Sequence, residues 1–314
     1  MITVTGVGVA LPGAESAEAL FAAAGPDGVV DPSAVLGRKG LRYKDRATQI
    51  GLSVAQRVLV DAGLLADGEL TVDGTRVAVV VSSNLGNVET ACRVTKTIAE
   101  ETSRGLSPMD TPNASSNIIS SEVAIRFGLH GPNLMMCNGA TSGLDAVRWA
   151  ATLLRSGRAD RAVVVGIEPD NEIVRSLVGE RVADGGAAIV LESAEAAAER
   201  GATVYAVLGA QTRGPDLAGC LEKVAATETD GPTGWFVPAG LQADSATLAG
   251  VARHDLSATW GHLSGALGVV QCAAAIGRFR DGDGGPVYLT SGSDGDDGSA
   301  VLVLRSPATE PVPA

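Results

Sequence analysis

The residues most suggestive of chemistry surround a turn at positions 138–143, which reads NGATSG. A short apolar stretch at 134–137 precedes this turn, and a helical pattern at 144–156 follows it. A strand that runs through a tight turn into a helix exposes one side chain at the helix N-terminus, where the positive potential of the helix favours a nucleophile. The pattern therefore predicts a nucleophile-elbow arrangement.

Cys137 is the thiol nearest to this turn. As a strand residue it would not occupy the exposed point of the elbow, and strand alternation assigns it a packing or interface position. A reactive thiol needs an exposed, electropositive setting, so the preferred interpretation of Cys137 is structural rather than catalytic. Cys92, Cys220 and Cys272 are scattered without paired spacing, which indicates buried reduced thiols and no disulfide framework.

The histidines and one acidic turn are the other candidates. His262 could bind a carbonyl oxygen, but stabilising an oxyanion usually takes several converging donors, and a histidine held by the surrounding glycines is the preferred interpretation. His130 and His254 have no partner visible in the sequence and are expected to be surface or structural residues. The turn at 293–297 lacks the spacing and closing glutamate of a calcium loop. Neither a metal site nor a cofactor is expected.

The elements that must position these residues alternate between strand and helix, which is typical of a layered α/β fold. Two consecutive series with similar element order indicate an internal duplication. The predicted division is an N-terminal half at 1–168, a C-terminal half at 169–305 and a disordered tail at 306–314. Helices are predicted at 45–62, 113–127 and 144–156, and the stretches at 187–191 and 204–208 are predicted to be paired strands.

Composition narrows the class of protein. Hydrophobic residues make up 45% of the chain and aromatic residues 3%, so the core must be aliphatic. The net charge of −12 argues against nucleic-acid binding and against docking on an anionic membrane. No apolar run reaches the roughly 20 residues that span a bilayer, and Met1 is followed by alternating apolar residues rather than a charged leader. We therefore expect a cytoplasmic protein.

Several segments carry a resemblance to a known family, in the family's order along nearly the whole chain. They are DR at 45–46, DAGL at 61–64, FGLHGP at 127–132, TSG at 141–143, SGRAD at 156–160, DGGAAIVLE at 184–192, ERGA at 199–202 and GHLSGA at 261–266. They resemble the ketosynthases, whose elbow cysteine accepts an acyl group from a carrier thioester. The resemblance implies an α/β, thiolase-like fold with two duplicated α/β halves in a five-layered α-β-α-β-α arrangement.

The chain departs from this family at the catalytic positions. In register with the family motif, the cysteine position holds Ala140, and a methyl group cannot form a thioester. Residues 237–241 (VPAGL) lack the expected first histidine, and Ser257 replaces the family lysine. The gating loop reads SGSDGDDG at 291–298 rather than a sequence rich in glycine and phenylalanine. Only His262 remains of the catalytic set, so the resemblance implies a subunit without condensation chemistry.

The resemblance also implies a dimer. In the family, the strand before the cysteine pairs across a two-fold axis, and the segment before the preceding helix reaches toward the partner's acyl tunnel. The implied interface residues are Leu134, Met135, Met136 and Cys137. By analogy with non-catalytic partner subunits called chain length factors, the implied pocket and gating residues are Met109, Asp110, Ala114, Ile118 and Cys137.

The resulting expectation is a chain-length-factor-like subunit that forms a heterodimer with an active β-ketoacyl synthase in type II polyketide biosynthesis. Aromatic systems usually carry glutamine at the position of Ala140, so a reduced or polyene product is compatible with this chain. An acyl carrier protein is acidic and would dock on the partner rather than on this acidic chain. Two alternatives stay open: a thiolase-fold decarboxylase or acyltransferase that uses Cys137 or His262, and a homodimeric acyl-binding protein.

Overall fold

The computed structural model describes residues 1–21, 28–242, 247–293 and 295–307, so most of the tail predicted to be disordered lies outside the described residues. The strands are β1 (Ile2–Ala10), β2 (Leu65–Ala66), β3 (Glu69–Leu70), β4 (Val77–Ser82), β5 (Asn133–Met136), β6 (Arg161–Glu168), β7 (Gly185–Ser193), β8 (Ala206–Gly214), β9 (Gly234–Phe236), β10 (Ala252–His254), β11 (Pro286–Ser291) and β12 (Ser299–Arg305). The helices are α1 (Ser33–Leu36), α2 (Arg46–Asp61), α3 (Val88–Glu101), α4 (Ile118–Phe127), α5 (Ser142–Arg155), α6 (Glu172–Val178), α7 (Ala194–Glu199), α8 (Leu217–Ala225), α9 (Leu256–Trp260) and α10 (Leu267–Arg280).

The main sheet of the described chain contains two series of strands with the same order. That order is β10-β9-β11-β12-β8-β1-β7-β6-β4-β5. One series consists of β1 and β4 to β7, and the other consists of β8 to β12. If the five strands of each series are counted in chain order, both series read first, fifth, fourth, second and third from the centre of the sheet outward. The pairings are antiparallel, antiparallel, parallel and parallel in both series. The predicted duplication is therefore confirmed, and the two series meet where β1 pairs with β8.

The pairing corrects one expectation. The stretches at 187–191 and 204–208 do not pair with each other, because β7 pairs with β1 and β6, and β8 pairs with β1 and β12. Neighbours in sequence look like a hairpin, but β1 lies between them in the sheet. The strand order groups β7 with the N-terminal series, and the domain division at residue 168 stays a prediction.

Helices form three layers around the two series of strands: α5 and α10 lie between the series, α2 and α4 cover the first series, and α8 covers the second. The alternation of side chains along the strands shows this arrangement. In β4, Ala78 and Val80 belong to a core shared with α5 and α10, whereas Val77 and Val79 belong to an outer core shared with α2 and α4. In β12, the even-numbered residues face the same central core, and the odd-numbered residues face α8. Since adjacent strand residues point to opposite faces, these contacts give the predicted five-layered arrangement.

The central helices α5 and α10 touch through their backbones. A β-carbon added to Gly143 would lie 2.7 Å from the Gly268 nitrogen, and one added to Gly268 would lie 2.5 Å from the Leu144 nitrogen. Glycine at both positions allows the closest approach of the two helices. This contact explains part of the high glycine content, because larger side chains would push the halves apart.

Local signals explain where the helices begin. The Asp45 side chain accepts a hydrogen bond of 2.7 Å from the Thr48 amide and caps α2, and Gly63 follows its end with φ +67°. The predicted helix at 113–127 begins only at Ile118, after a 3₁₀ turn at Pro112–Ala114. Ser115 and Asn117 bond to each other through their side chains, which competes with helix formation there.

Within the described part of the chain, none of the helices combines the length and apolar character needed to cross a membrane.

Candidate functional site

A cavity of about 560 Å³ lies where the starts of α5 and α10 meet. Both halves contribute to its wall, because Ala140 precedes α5 whereas His262 and Ser264 precede α10. Its lining includes the polar or predicted site residues Asn84, Cys137, Ala140, Glu180, His262 and Ser264. The predicted site residues Ala140, Cys137 and His262 therefore share one cavity.

The predicted strand–turn–helix arrangement is present at the elbow. β5 ends at Met136, Gly139 has φ +84°, and α5 begins at Ser142. A φ in this range favours glycine, so Gly139 allows the chain to turn sharply. The backbone N–H of Ala140 donates no hydrogen bond within the described residues and precedes a helix of 14 residues. The elbow thus offers a methyl group and positive helix-end potential, but no nucleophilic side chain.

Asn84 holds the elbow in place, a role that the sequence analysis missed. Its side-chain nitrogen donates to the Gly139 carbonyl (3.0 Å) and to Ser264 Oγ (2.9 Å). Its side-chain oxygen accepts from the Gly139 amide (3.2 Å) and from Ser142 Oγ (2.9 Å). The side-chain amide of Asn84 therefore donates two hydrogen bonds and accepts two, and it joins the elbow of the N-terminal half to the loop before α10.

Glu168 lies beneath Asn84 and is fully buried. Its carboxylate accepts hydrogen bonds from Ser83 Oγ (2.9 Å) and from the amides of Asn84 (2.7 Å), Leu85 (3.0 Å) and Gly265 (2.9 Å). Burial raises the pKa of Glu168 to about 7, because desolvation outweighs the hydrogen bonds that favour the carboxylate. Glu168 therefore fastens loops of both halves around one buried group.

His262 is oriented by a carboxylate. Its Nδ1 lies 2.9 Å from Glu180 Oε1, and the His262 side chain is 29% exposed. Its backbone is also fixed, because the His262 amide donates to the Arg181 carbonyl (2.7 Å) and the Ala183 amide donates to the His262 carbonyl (3.1 Å). Glu180 lies far from His262 in sequence, so spacing gave no signal for this pair.

The remaining catalytic positions of the ketosynthase pattern carry no histidine or lysine at this cavity. Ala239 and Gly240 line its wall where the first histidine was expected. In the gating-loop segment, Gly292, Ser293 and Asp296 line the wall, and the Ser293 amide donates to Asp296 (2.8 Å); Asp294 lies outside the described residues. Among the described residues, no group of three or more His, Cys, Asp or Glu side chains is arranged to hold a metal ion.

Cys137 lies at the mouth of the cavity and is exposed. It also lines a smaller cavity of about 360 Å³, together with Met135, Met136 and Trp149. The expectation of buried thiols is confirmed for Cys220 and Cys272 but is wrong for Cys92, because its position on α3 lies at the surface.

The predicted interface strand β5 forms the edge of the sheet in the described chain. Leu134, Met135 and Met136 are half-buried. The Pro132 carbonyl accepts from the Val79 amide in β4, and the Met136 carbonyl accepts from the amide of Ser83, directly after β4. Since bonding alternates along a strand, the N–H and C=O of Met135 point away from β4.

Of the predicted pocket and gating residues, Cys137 lines the cavity of about 560 Å³, whereas Met109, Asp110, Ala114 and Ile118 do not. Met109 is 52% exposed, Ile118 is buried in the outer core, and Asp110 pairs with Arg93 at 3.3 Å. The Ala114 carbonyl accepts from the Asn87 side chain at 2.9 Å. These contacts anchor the segment to α3 and to the loop before it.

A second cavity and His254 offer less chemistry, because their charged or titratable groups are paired with neighbouring residues. A second cavity of about 590 Å³ shares Glu180 with the first, but its charged side chains include the Arg175–Asp170 pair at 2.6 Å. His254 contacts Arg278 and stacks on Phe236, and burial together with Arg278 lowers its pKa. The expected structural role of His254 agrees with these contacts.

Comparisons with known proteins agree with the fold and the sequence motifs. Residues 31–182 match the β-ketoacyl synthase N-terminal domain. A 3-oxoacyl-[acyl-carrier-protein] synthase 2 of Vibrio cholerae is 25% identical over 254 residues, which cover 65% of this chain and 61% of the relative. A granaticin polyketide β-ketoacyl synthase of Streptomyces violaceoruber is 32% identical over 202 residues, which cover 54% of this chain and 47% of the relative. The chain therefore spans less than two thirds of either relative.

Solved structures are similar over nearly the full chain. A type II polyketide ketosynthase in complex with its acyl carrier protein has a TM-score of 0.79 at 16% identity, covering 98% of this chain and 99% of the other. The ishigamide ketosynthase/chain length factor has a TM-score of 0.78 at 18% identity, with the same coverage. The predicted resemblance to ketosynthases is confirmed: the chain has the thiolase-like fold of these structures, and its residues 31–182 match the N-terminal domain of β-ketoacyl synthases.

Proposed function

We propose that this chain is a chain-length-factor-like, non-condensing subunit that pairs with an active β-ketoacyl synthase and shapes the pocket of a growing polyketide. One observation carries the proposal: the elbow presents Ala140 to a cavity of about 560 Å³. Because a methyl group cannot form a thioester, condensation on this scaffold requires the cysteine of another subunit. The absence of histidine from residues 237–241 supports the same conclusion.

The edge strand supports a partner of related fold. β5 has one neighbour, β4, in the described sheet, and its outward backbone groups at Met135 are available for pairing. An unpaired edge with half-buried apolar side chains favours association with another strand. Antiparallel pairing of two β5 strands would join the sheets of the two subunits.

The exposed segment before α4 supports a role at the partner's pocket. Met109 is solvent-exposed and does not line the cavity of its own chain, and its carbonyl accepts a hydrogen bond of 3.3 Å from the Asn113 side chain. Asp110, Ala114 and Ile118 belong to the same segment. In the proposed complex these side chains limit the length of the chain held by the partner.

The charge of the chain determines where the carrier protein docks in this proposal. Acyl carrier proteins are acidic, and this chain has a net charge of −12. Like charges disfavour encounter, so the carrier protein docks on the catalytic partner. The complex is proposed to be cytoplasmic and to act in type II polyketide biosynthesis.

The test is co-expression with an active ketosynthase of type II polyketide biosynthesis, followed by measurement of the mass of the complex and by acyl loading. A one-to-one heterodimer, with malonyl-dependent elongation and the acyl label on the partner's cysteine, is the expected result. A stable homodimer that does not bind the ketosynthase contradicts the proposal and favours the acyl-binding alternative.

Product length tests the gating role within the same complex. Ala114→Leu enlarges a side chain of the segment and is expected to shorten the product. The matched control is Ala225→Leu, at the end of α8 and away from β5. Unchanged product length in Ala114→Leu removes the gating role.

A further inference from the structure

We infer that Ser264 is an acyl acceptor in this cavity, with His262 as its base and Glu180 orienting that base, so that the chain can cleave acyl thioesters slowly. The inference goes beyond the subunit role, because it concerns chemistry of this chain without a partner. It rests on one cavity that joins a hydroxyl, an imidazole and a carboxylate.

The backbone directs Ser264 and His262 to the same side. Leu263 between them is completely buried in the central core, whereas both neighbours line the cavity. Ser264 has φ +38°, a region that residues other than glycine rarely adopt. Such strain persists only where surrounding contacts hold it, and here the Gly265 amide is bound to buried Glu168 at 2.9 Å.

The oxygen of the Ser264 hydroxyl accepts a hydrogen bond, whereas its proton is available for another partner. Asn84 donates to Ser264 Oγ at 2.9 Å, and the direction of this bond follows from the Asn84 oxygen, which already accepts from Gly139 and Ser142. Ser264 therefore accepts in this bond. Its own proton has no acceptor among the side chains and backbone groups of the described chain, so it is available to a base in the cavity.

His262 has the features of such a base. Glu180 lies 2.9 Å from Nδ1 and favours the tautomer with the proton on that nitrogen, which leaves a lone pair on Nε2. This is the general arrangement of a nucleophile, a base and an orienting carboxylate. Ser264 bonds to Asn84 rather than to His262 here, and contacts between nucleophile and base often tighten only with substrate in place.

The reaction balances without a further reagent except water. Ser264 Oγ attacks the carbonyl carbon of an acyl thioester, its proton passes to His262 Nε2, and the carbon–sulfur bond breaks. The proton then passes to the leaving thiolate, which gives a free thiol and an ester on Ser264. Water hydrolyses this ester to the carboxylic acid. The N–H of Ala140 donates to none of the described residues and is a donor available to the developing oxyanion. Leu267 and Ala239 provide an apolar wall for the acyl chain.

The experiment uses the purified full chain and the hexanoyl thioester of N-acetylcysteamine. Thiol release is followed with a colorimetric disulfide reagent, and the acyl group is located by peptide mass mapping after acid quenching. The expected result is slow thiol release with hexanoyl on Ser264. Ser264→Ala should reduce release to the buffer rate, and His262→Asn should lower it by about 100-fold.

Controls separate chemistry from folding. Ser103→Ala removes an exposed hydroxyl that does not line the cavity. It should leave the rate within about twofold, because surface substitutions away from a site change little. Ser264→Cys should still acquire the acyl group, since a thiol at this position can also attack. Each variant is compared with the wild-type chain in a thermal melt.

Release that never exceeds the buffer rate, release that persists in Ser264→Ala, or an acyl group on Cys137 overturns the inference. The outcome is separate from the subunit proposal. A chain that forms the heterodimer but cleaves no thioester refutes only this inference, and a chain that cleaves thioesters but binds no ketosynthase refutes only the subunit role.

Discussion

The two halves of this chain share a strand order but differ in what their equivalent loops contribute. In each half the third strand leads toward a buried central helix, α5 in the first and α10 in the second. The first half keeps the shape of the ketosynthase elbow but has Ala140 at its point. The second keeps His262 before α10 but has no histidine at 237–241, directly after β9. The duplication builds one cavity from two equivalent helix starts, and the ketosynthase pattern is incomplete in both halves.

The halves also differ in the size of their strands. β9 and β10 contain three residues each, whereas β4 and β5, the equivalent strands of the first half, contain six and four. The outer strands of the second half are therefore shorter than those of the first.

The contact between α5 and α10 gives the largest expected effect. Gly268→Val places a branched side chain where even a β-carbon would lie 2.5 Å from the Leu144 nitrogen. The helices must separate, so we expect a loss of about 4 kcal/mol or more in the free energy of unfolding. Gly284→Val is the matched control, since nothing lies within 4 Å of its added β-carbon. Denaturant unfolding measures both, and equal stability of the two variants contradicts the central role of this contact.

Buried Glu168 gives the next effect, because it fastens loops of both halves. Its pKa is raised from 4.5 to about 7 by burial. Between these two pH values the folded state therefore binds more protons than the unfolded state. The contribution of Glu168 to the free energy of unfolding is complete below pH 4.5 and is lost as the pH rises through 7. The contribution is about 3 kcal/mol. Unfolding measured from pH 4.5 to 7.5 should show this slope, and Glu168→Gln should flatten it. A slope that survives in Glu168→Gln assigns it to other groups.

The edge strand gives a smaller effect, limited to association. Met135→Pro removes an N–H that points away from β4, so the β4–β5 ladder should survive. We expect the affinity for the ketosynthase partner to fall by about tenfold or more, because an interchain hydrogen bond is lost and the proline ring obstructs pairing. Met135→Ala keeps the N–H and is the control for the lost side chain. Equal affinities of the two variants argue against pairing through β5.

Introducing a cysteine at position 140 is expected to have the smallest effect on activity. Ala140→Cys places a thiol at the elbow, where iodoacetamide should modify it. We expect no malonyl-dependent elongation by the isolated variant, because the second half provides no histidine at 237–241. Elongation by this variant would show that the second half is catalytically sufficient. Mass spectrometry and product analysis measure the two outcomes.

The sequence predicted what depends on local signals. The helix predicted at 45–62 is α2, which Asp45 caps, and the small residues at 138–143 form the elbow. It did not predict that the helix after Pro112 begins as late as Ile118, because side-chain bonding between Ser115 and Asn117 competes with the helix locally. Polar residues that can bond to nearby partners blur a periodic pattern.

The sequence by itself determined the fold class, the duplication and the alanine at the elbow, because hydrophobic periodicity, glycine turns and residue identity are local properties. Only the tertiary structure decided which distant groups meet. Asn84, Glu180 and Ser264 come from separate segments, and they share a cavity because α5 and α10 pack together across two glycines. Sequence spacing cannot encode such a meeting, since it depends on how strands order themselves in a sheet and how closely two helices approach.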